Sequence, residues 1–307
     1  MNILVTGGAG FIGSHITNAY IDAGHKVVVV DNLSSGERRF INTKAIFYPM
    51  DILDPEVETV LKKERIEVIN HHAAQISVSE SVLNPVFDAN TNIIGTLKLL
   101  QFASSLNIKK FILASTGGAM YGDQKTFPAS EDHPCQPVSP YGISKLCAEK
   151  YLNYFNKEHG LNTTVLRYSN VYGPHQNPHG EAGVVAIFCQ LLVKDDEPII
   201  TGDGKQTRDF ISVRDVVQAN LIALDPDCSG TFNVGTGKET NVNHLTQNLI
   251  KVSGKTASIK YGPARSGEQR RSVIDHRKIK NRYGWKPKVS LREGLLETYQ
   301  FFKDSAA

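Results

Sequence analysis

The chain has 307 residues, 40% of them hydrophobic and 21% charged, with a formal net charge of +3. That length suits one large domain or two lobes, and the composition is that of an ordinary soluble globular protein. So small a charge, with no basic run, argues against nucleic acid as a partner. No apolar run approaches the ~20 residues that span a bilayer. The first apolar run is one strand long and leads into a glycine turn, which is not a secretory pattern. Cys135, Cys147, Cys189 and Cys228 lack metal-ligand spacing. They are expected to be free thiols in a reducing cytoplasm, with no bound metal.

Asn2 to Thr6 is a short β-branched run, as a buried parallel strand requires. Gly7, Gly8, Gly10 and Gly13 follow. Phe11 to Ala23 carries apolar residues at helical spacing, with Gly24 as a stop, and Lys26 to Val30 is a second strand closed by Asp31. Strand, glycine turn, helix, strand and acid make the mononucleotide-binding unit of a Rossmann fold. Glycines let the backbone approach a pyrophosphate, which sits on the free N–H groups of the helix start, beside Phe11 and Ile12. Asp31 would accept from the adenosine ribose hydroxyls and repel a 2′-phosphate, which favours NAD over NADP. The plainer alternative is an α/β domain whose glycines serve only packing.

Ile46 to Tyr48 reads as a third strand, followed by Asp51-Ile52 and then by Asp54-Pro55, a helix start. On the residues alone, Asp51 can be a cap for that helix. Glu67 to His71 is a fourth strand, and the small residues of His72-Ala73-Ala74-Gln75 let a cofactor lie close to the backbone. His71 and His72 have no partner at metal-ligand spacing and are expected as packing or supporting groups. Asn84 to Ser105 predicts one long helix. Asn92 within it is unfavourable by propensity and either makes a specific hydrogen bond or faces solvent. Lys110 to Ala114 is a fifth strand entering Ser115-Thr116-Gly117-Gly118-Ala119-Met120-Tyr121-Gly122. Pro134, Pro137 and Pro140 mark an extended loop, and a helix runs from about Tyr141 to His159. Thr163 to Tyr168 is a sixth strand, after which loops and short elements prevail. They include a helix within Glu181 to Gln190, a tight turn at Gly202-Asp203-Gly204 and a helix from about Arg214. A strand at Phe232 to Val234 turns at Gly235, and an amphipathic helix follows Gly284-Trp285-Lys286-Pro287, with Trp285 as packing.

Tyr141 and Lys145 carry the catalytic signal. Four residues apart on a helix, they share a face. A tyrosine with a reference pKa near ~10 is a poor base at neutral pH. A nearby ammonium and a cationic nicotinamide both favour its phenolate. The pair then makes an acid/base able to take a proton from a sugar hydroxyl while hydride leaves the same carbon.

The Gly7-Gly10-Gly13 spacing, DNLSSG at 31–36, Tyr141-x-x-x-Lys145, LRYSNVYGP at 166–174, GDGKQTRDFISVRDV at 202–216 and Arg265-Ser266-Gly267-Glu268 occur in order. Together they resemble the NAD-dependent extended short-chain dehydrogenases/reductases, and within them the UDP-glucose 4-epimerase family, over essentially the whole chain. The resemblance implies an α/β fold: a Rossmann-type doubly wound parallel sheet over 1–168, with returning segments near 209–235. A smaller C-terminal α/β lobe, mainly 169–307, would bind the UDP-sugar. Around NAD it places Asn32, Ser34 and Gly36 along the adenosine, Asp51 and Ile52 at the adenine, and Ala73, Ala74, Gln75, Asn92, Ser115 and Tyr168 nearer the nicotinamide. For the sugar nucleotide it implies Asn170, Gly183, Val184, Arg208, Arg265 and Glu268. Arg208, whose planar guanidinium suits a diphosphate, has a surface ion pair with an acid such as Asp209 as its plain alternative.

The chain departs from the family at one point. The usual catalytic hydroxyl position holds Gly117, so the hydroxyl is expected from Thr116, with Ser115 as second choice. Relatives that dehydrate or decarboxylate resemble Ser-Thr-Asp-Glu or Ser-Thr-Ser-Glu here, and Gly117, Gly118 and Ala119 offer no such carboxylate. That favours chemistry at one carbon, which is 4-epimerisation. Ser272 aligns with a position that gates the sugar 2-substituent. Being small it would admit an N-acetyl group, unless nearby bulk closes the pocket. Another nucleotide-sugar enzyme (a UDP-glucuronate 4-epimerase, dehydratase or decarboxylase) and a noncatalytic NAD-dependent sensor are the alternatives. The family also implies a homodimer through helices such as Asn84–Ser105 and Tyr141–His159.

Overall fold

The β-branched runs pair with one another in the computed structural model, which describes residues 1–179, 183–264 and 269–306. Seven strands form one sheet: β1 (Asn2–Thr6), β2 (Lys26–Val30), β3 (Ile46–Tyr48), β4 (Val68–His71), β5 (Lys110–Thr116), β6 (Asn162–Tyr168) and β7 (Gly230–Val234). Their order is β7-β6-β5-β4-β1-β2-β3, with every neighbouring pair parallel. The direction of winding reverses between β1 and β4, and ligands of such sheets bind at the carboxyl ends beside that reversal. This is the Rossmann-type arrangement expected.

Alternation along each strand supplies two apolar faces. Ile3, Val5, Val27 and Val29 face a core shared with Ile16, Tyr20, Phe232 and Trp285. Leu4, Val28 and Val30 face the other side, against Leu99, Leu100, Phe111 and Leu152. A third cluster, including Tyr172, Phe188, Leu245 and Tyr299, draws on helices Val184–Val193, Val242–Ser253 and Leu291–Ala306. Two short parallel strands, Asn170–Tyr172 and Phe210–Ser212, join this part to the sheet's edge. Trp285 is buried as packing, and its Nε1 also donates to the Asp215 carbonyl at 3.2 Å.

The stretch predicted as one helix from Asn84 is more varied. Asn84 caps an α-helix, Pro85–Ala89, which passes through a π-helical turn, Asn90–Ile94, into an α-helix, Gly95–Ser105. A separate short helix, Val78–Leu83, precedes it and has no counterpart in the sequence reading. Asp51 does not cap the helix Glu56–Lys63: its Oδ1 accepts from the Leu53 N–H, while Asp54 takes the Glu56 N–H. The predicted helix at Glu181 begins at Val184, with Gly183 as its N-cap, and Glu181 itself lies outside the described residues. Among the described residues no helix is long and apolar enough to cross a membrane.

Lys110 ties β5 to the return of the chain toward β7. It is 3% exposed, and its Nζ donates to the carbonyls of Asp225 at 2.7 Å and Cys228 at 2.5 Å. Replacing it leaves buried acceptors unmet. Lys110→Met is expected to lower stability by about 1–3 kcal/mol. The measurement is a fall in the urea midpoint at unchanged m-value.

Candidate active site

Four strand ends and a glycine turn converge at the reversal between β1 and β4. Gly7 has φ +69°, and a Cβ there would lie 2.7 Å from the Ala73 nitrogen. A Cβ on Gly13 would lie 2.1 Å from the Gly7 carbonyl oxygen. Both positions are closed to any larger residue, so backbone from the β1 turn, the first helix and the β4 end meets directly. Gly10 caps helix Phe11–Asp22 with no side-chain hydrogen bond, which leaves the first-turn N–H groups without a side-chain acceptor. Such a cradle fits a pyrophosphate. At the end of β2, Asp31 is 7% exposed and is held by the N–H groups of Ala9 (2.9 Å) and Leu33 (2.8 Å). The following loop folds back on the same turn: Glu37 N–H donates to the Ala9 carbonyl, and a Cβ on Gly36 would meet Ala9 at 2.9 Å. Asn32 Nδ2 donates to Asp51 at 2.7 Å, and the Ser34 N–H donates to Asn32, so Asn32 and Asp51 stand together at the neighbouring strand ends. Ile52 is buried against Gly95. These residues fit a dinucleotide.

Asn92 is 2% exposed, which excludes the solvent-facing reading. Its side chain accepts from the Gln75 N–H at 3.0 Å and donates to the Gln75 carbonyl at 2.9 Å, fixing the backbone that follows Ala73 and Ala74. His71 bridges the Thr6 and Thr96 hydroxyls. His72 stacks on Tyr168 at 6.0 Å between ring centroids. Burial, and then the Lys145 ammonium, bring the His72 ring down to about 3, so it is neutral. Tyr168 is buried, with its hydroxyl accepting from Asn220 Nδ2 at 2.9 Å.

The helix that carries Tyr141 and Lys145 starts where its local sequence demands. Ser139 accepts from the Gly142 N–H, Pro140 occupies the first turn, and the helix Pro140–His159 ends at Gly160 with φ +67°. Tyr141 and Lys145 face the C-terminal end of β5. Lys145 Nζ lies 6.0 Å from the Tyr141 ring centroid and donates to the Ala114 carbonyl at 3.1 Å. Burial pushes the Tyr141 phenol up to about 12, the Asp88 carboxylate adds to the rise, and a hydrogen bond with Thr116 opposes it. The sequence predicts a phenol lowered by its lysine together with a cationic nicotinamide; in the folded chain on its own, burial raises it. Burial also brings Lys145 down to about 8, against the upward pulls of Asp88 and Glu149.

Adjacent strand residues face opposite sides, and this separates the two hydroxyl candidates. Thr116 bonds Tyr141 and accepts from the Ala119 N–H at 3.1 Å. Ser115 Oγ instead donates to Glu149 at 2.5 Å. Glu149 is gripped by Arg167, whose Nη2 and Nε lie 2.6 and 3.0 Å from its two carboxylate oxygens, and Arg167 Nη1 donates to the Tyr121 hydroxyl. A Cβ on Gly117 would lie 2.6 Å from Ile274 Cδ1, so Ile274 fills the place of a side chain. At Gly118 the nearest atoms to such a Cβ are Asn170 Oδ1 at 3.7 Å and Thr116 Oγ1 at 3.8 Å.

On the far side of the cleft, Arg208 and Ser272 are opposite one another on the parallel strands Thr207–Arg208 and Arg271–Ser272. Ser272 is 3% exposed. The Arg208 guanidinium donates to the Thr207 carbonyl at 2.8 Å. The Asp209 carboxylate is buried and occupied by the N–H groups of Thr236 and Gly237 and by the Thr236 hydroxyl. Arg265 and Glu268 lie outside the described residues. Arg270 and Arg271 are exposed and pair with Asp203 and Glu239. Among the described residues no His, Cys, Asp and Glu cluster could hold a metal ion.

Asp88, Ser144, Glu149 and Arg167 are additions to the sequence reading. Glu149 continues the Tyr141–Lys145 stripe by four residues, and Asp88 precedes Asn92 by four, so helical spacing carried both signals.

An NAD cradle and a Tyr–Lys pair at the reversal of a parallel sheet define a nucleotide-dependent oxidoreductive site. The sequence model of the NAD dependent epimerase/dehydratase family matches residues 3–235, and the chain belongs to that family. Its cofactor is NAD. A Methanocaldococcus jannaschii protein described as a putative UDP-glucose 4-epimerase is 44% identical over 303 residues, covering 99% of each chain. A Thermotoga maritima UDP-glucose 4-epimerase solved with UDP-glucose matches at a TM-score of 0.97 and 49% identity, covering 100% of both chains. A Thermus thermophilus UDP-glucose 4-epimerase solved with NAD matches at a TM-score of 0.94 and 40% identity, covering 99% of each.

Breaking the Glu149–Arg167 pair strands a buried charge under the site. Arg167→Met is expected to lose about 3–5 kcal/mol in chemical denaturation, and Arg167→Met/Glu149→Leu to regain most of it.

Proposed function

We propose that the chain is an isomerase that interconverts UDP-glucose and UDP-galactose by inverting C4. NAD, when bound, supplies a reversible hydride acceptor for that carbon, so the sugar passes through a 4-keto form. Tyr141 exchanges the 4-hydroxyl proton, Thr116 orients that hydroxyl, and Lys145 holds positive charge beside both. Asn170 and Arg208 reach the substrate from the opposite strands, with Arg265 and Glu268 assigned to the nucleotide on the family pattern alone. Residues 1–168 with 209–235 would be the NAD part and 169–307 mainly the sugar lobe.

The observation that carries this reading is the Thr116–Tyr141–Lys145 cluster beside a Gly117-Gly118-Ala119 turn without a carboxylate. The carboxylates that act on Lys145 are already engaged: Asp88 by Ser144, Gln75 and Asn92, and Glu149 by Arg167 and Ser115. Neither is free to work on a second sugar carbon, as dehydration requires.

A homodimer is part of the proposal. Val82 (61% exposed), Leu83 (80%), Val86 (69%) and Val138 (79%) crowd the helices beside the site, with Phe87 and Ile143 also exposed. An apolar patch of that kind on a water-soluble chain marks an interaction face, and an isologous pairing through it is the simplest closed assembly.

Purified protein incubated with UDP-galactose without added NAD should form UDP-glucose by NMR. Tyr141→Phe should lower the rate by about 10²–10⁴-fold. Parallel incubations with UDP-N-acetylgalactosamine and UDP-glucuronate test the small Ser272 and the competing sugar. Turnover of UDP-glucuronate alone would replace the reading, and NAD binding without turnover of any of the three would favour a sensor. Val86→Asp combined with Leu83→Asp should halve the mass seen in sedimentation velocity.

A further inference from the structure

Asp88 is fully buried, on the short helix Pro85–Ala89 that packs against the catalytic helix. Three donors converge on its carboxylate. Gln75 Nε2 and Asn92 Nδ2 each donate to Oδ1 at 2.9 Å, and the Ser144 hydroxyl donates to Oδ2 at 2.5 Å. Every one of these partners can give a hydrogen, so donors meet both carboxylate oxygens. None of the three carries charge. A buried ion normally has a counter-ion nearby, and Ser144, its partner, immediately precedes Lys145 in the catalytic helix.

The surrounding charges single out that pairing. On the catalytic helix, Tyr141, Lys145 and Glu149 share the stripe. Glu149 is neutralised by Arg167 from β6. From the β4 end, His71 and His72 face Lys145, and burial holds both rings neutral. Thr116, from β5, is uncharged. Among the described residues, Asp88 is then the carboxylate acting on Lys145 that no guanidinium or ammonium grips as Arg167 grips Glu149.

We propose that Asp88 is a positioning residue of this active site: its buried carboxylate is the counter-charge that keeps Lys145 an ammonium and restrains ionisation of Tyr141. The proposal rests on the Tyr141–Lys145 chemistry above. Burial alone drives Lys145 toward the neutral amine, and an amine neither steadies a phenolate nor presents a positive charge to the sugar hydroxyl. Asp88 offsets that loss. The same negative charge opposes a phenolate at Tyr141, so the base ionises late, once positive charge enters the site. Both effects follow from one charge and move with pH in one direction. Removing it lowers the phenol's pKa and lowers the ammonium's pKa.

Asp88→Asn is the test, because an amide fits the same partners: Oδ1 keeps both amide donors, and Nδ2 can donate to the Ser144 oxygen once that hydroxyl turns. Activity needs Tyr141 deprotonated and Lys145 protonated, so the two limbs of the kcat profile report these two groups. In Asp88→Asn both limbs are expected to move toward lower pH, by about one unit. Tyrosinate absorbance, read as the difference from the same protein carrying Tyr141→Phe, should show the phenol's shift without any substrate. Asp88→Ser, a second neutral variant, should move the same way, and Asp88→Glu should return both limbs toward the wild type. A lowered kcat on unmoved limbs and an unmoved tyrosinate titration would mean that Asp88 only packs, and would overturn the proposal. A shift toward higher pH would overturn it as well. Wild-type protein that turns over no sugar nucleotide while the tyrosinate shift appears would count against the epimerase reading and leave Asp88's influence standing.

Discussion

The structure depends on backbone lying against backbone where β1 meets β4. With Ala73 N only 2.7 Å from where a Gly7 Cβ would sit, the two strand ends have no room for a side chain between them. That contact fixes three things together. It sets the tight turn that points the first helix at the site. It holds the Ala73–Gln75 backbone beside the turn. Through Gln75 it also locates Asn92 and Asp88, and through Asp88 the catalytic helix at Ser144. A cofactor cradle and the Tyr141–Lys145 helix, far apart in sequence, are thus registered by one chain of short contacts rather than by general packing.

Beneath the reacting groups the chain buries charge, and it does so in two different ways. Glu149 and Arg167 form a fully matched pair with forked geometry, joining the helix to β6 and taking up the Ser115 hydroxyl. Such a pair contributes little net stability but is costly to break, so it fixes position. Asp88 is satisfied by neutral donors only, so its field is not cancelled locally and reaches Tyr141 and Lys145. The first arrangement holds the helix in place. The second sets its electrostatics.

The sheet was legible because its causes are local. Runs such as KVVVV at 26–30, punctuated by glycine and acid, fix strand, turn and helix by nearest neighbours, and the Ser139-Pro140 start of the catalytic helix is likewise a local signal. Tyr141 and Lys145 were legible because they share a helix. What sequence could not give was whatever depends on partners far along the chain. Asp209 next to Arg208 suggests a surface ion pair, yet its carboxylate is committed to a turn 27 residues away. The π-helical turn at Asn90–Ile94 carries Asn92, whose poor helical propensity hints at a hydrogen bond but does not name its partner, Gln75. The six-residue helix at Val78–Leu83 is too short to show a period. The Tyr141 phenol shows the same limit: its lysine is visible in sequence, while its desolvation is not.

The glycines at 117 and 118 differ in cause, and the difference bears on chemistry. At 117 the obstacle is steric: Ile274 and the Tyr168 carbonyl already occupy the direction a Cβ would take. A carboxylate could not be added there without moving a buried isoleucine from the segment that follows Ser272. At 118 nothing comparable stands in the way, and the vacancy opens between Thr116 and Asn170. The chain therefore keeps a small residue at 117 for packing and at 118 leaves space beside the Thr116 hydroxyl and the Asn170 side-chain oxygen. A site shaped so offers hydrogen-bonding groups at 116 and 170 and no acid at 117–119, which is the shape the proposed single-carbon chemistry at Tyr141 requires.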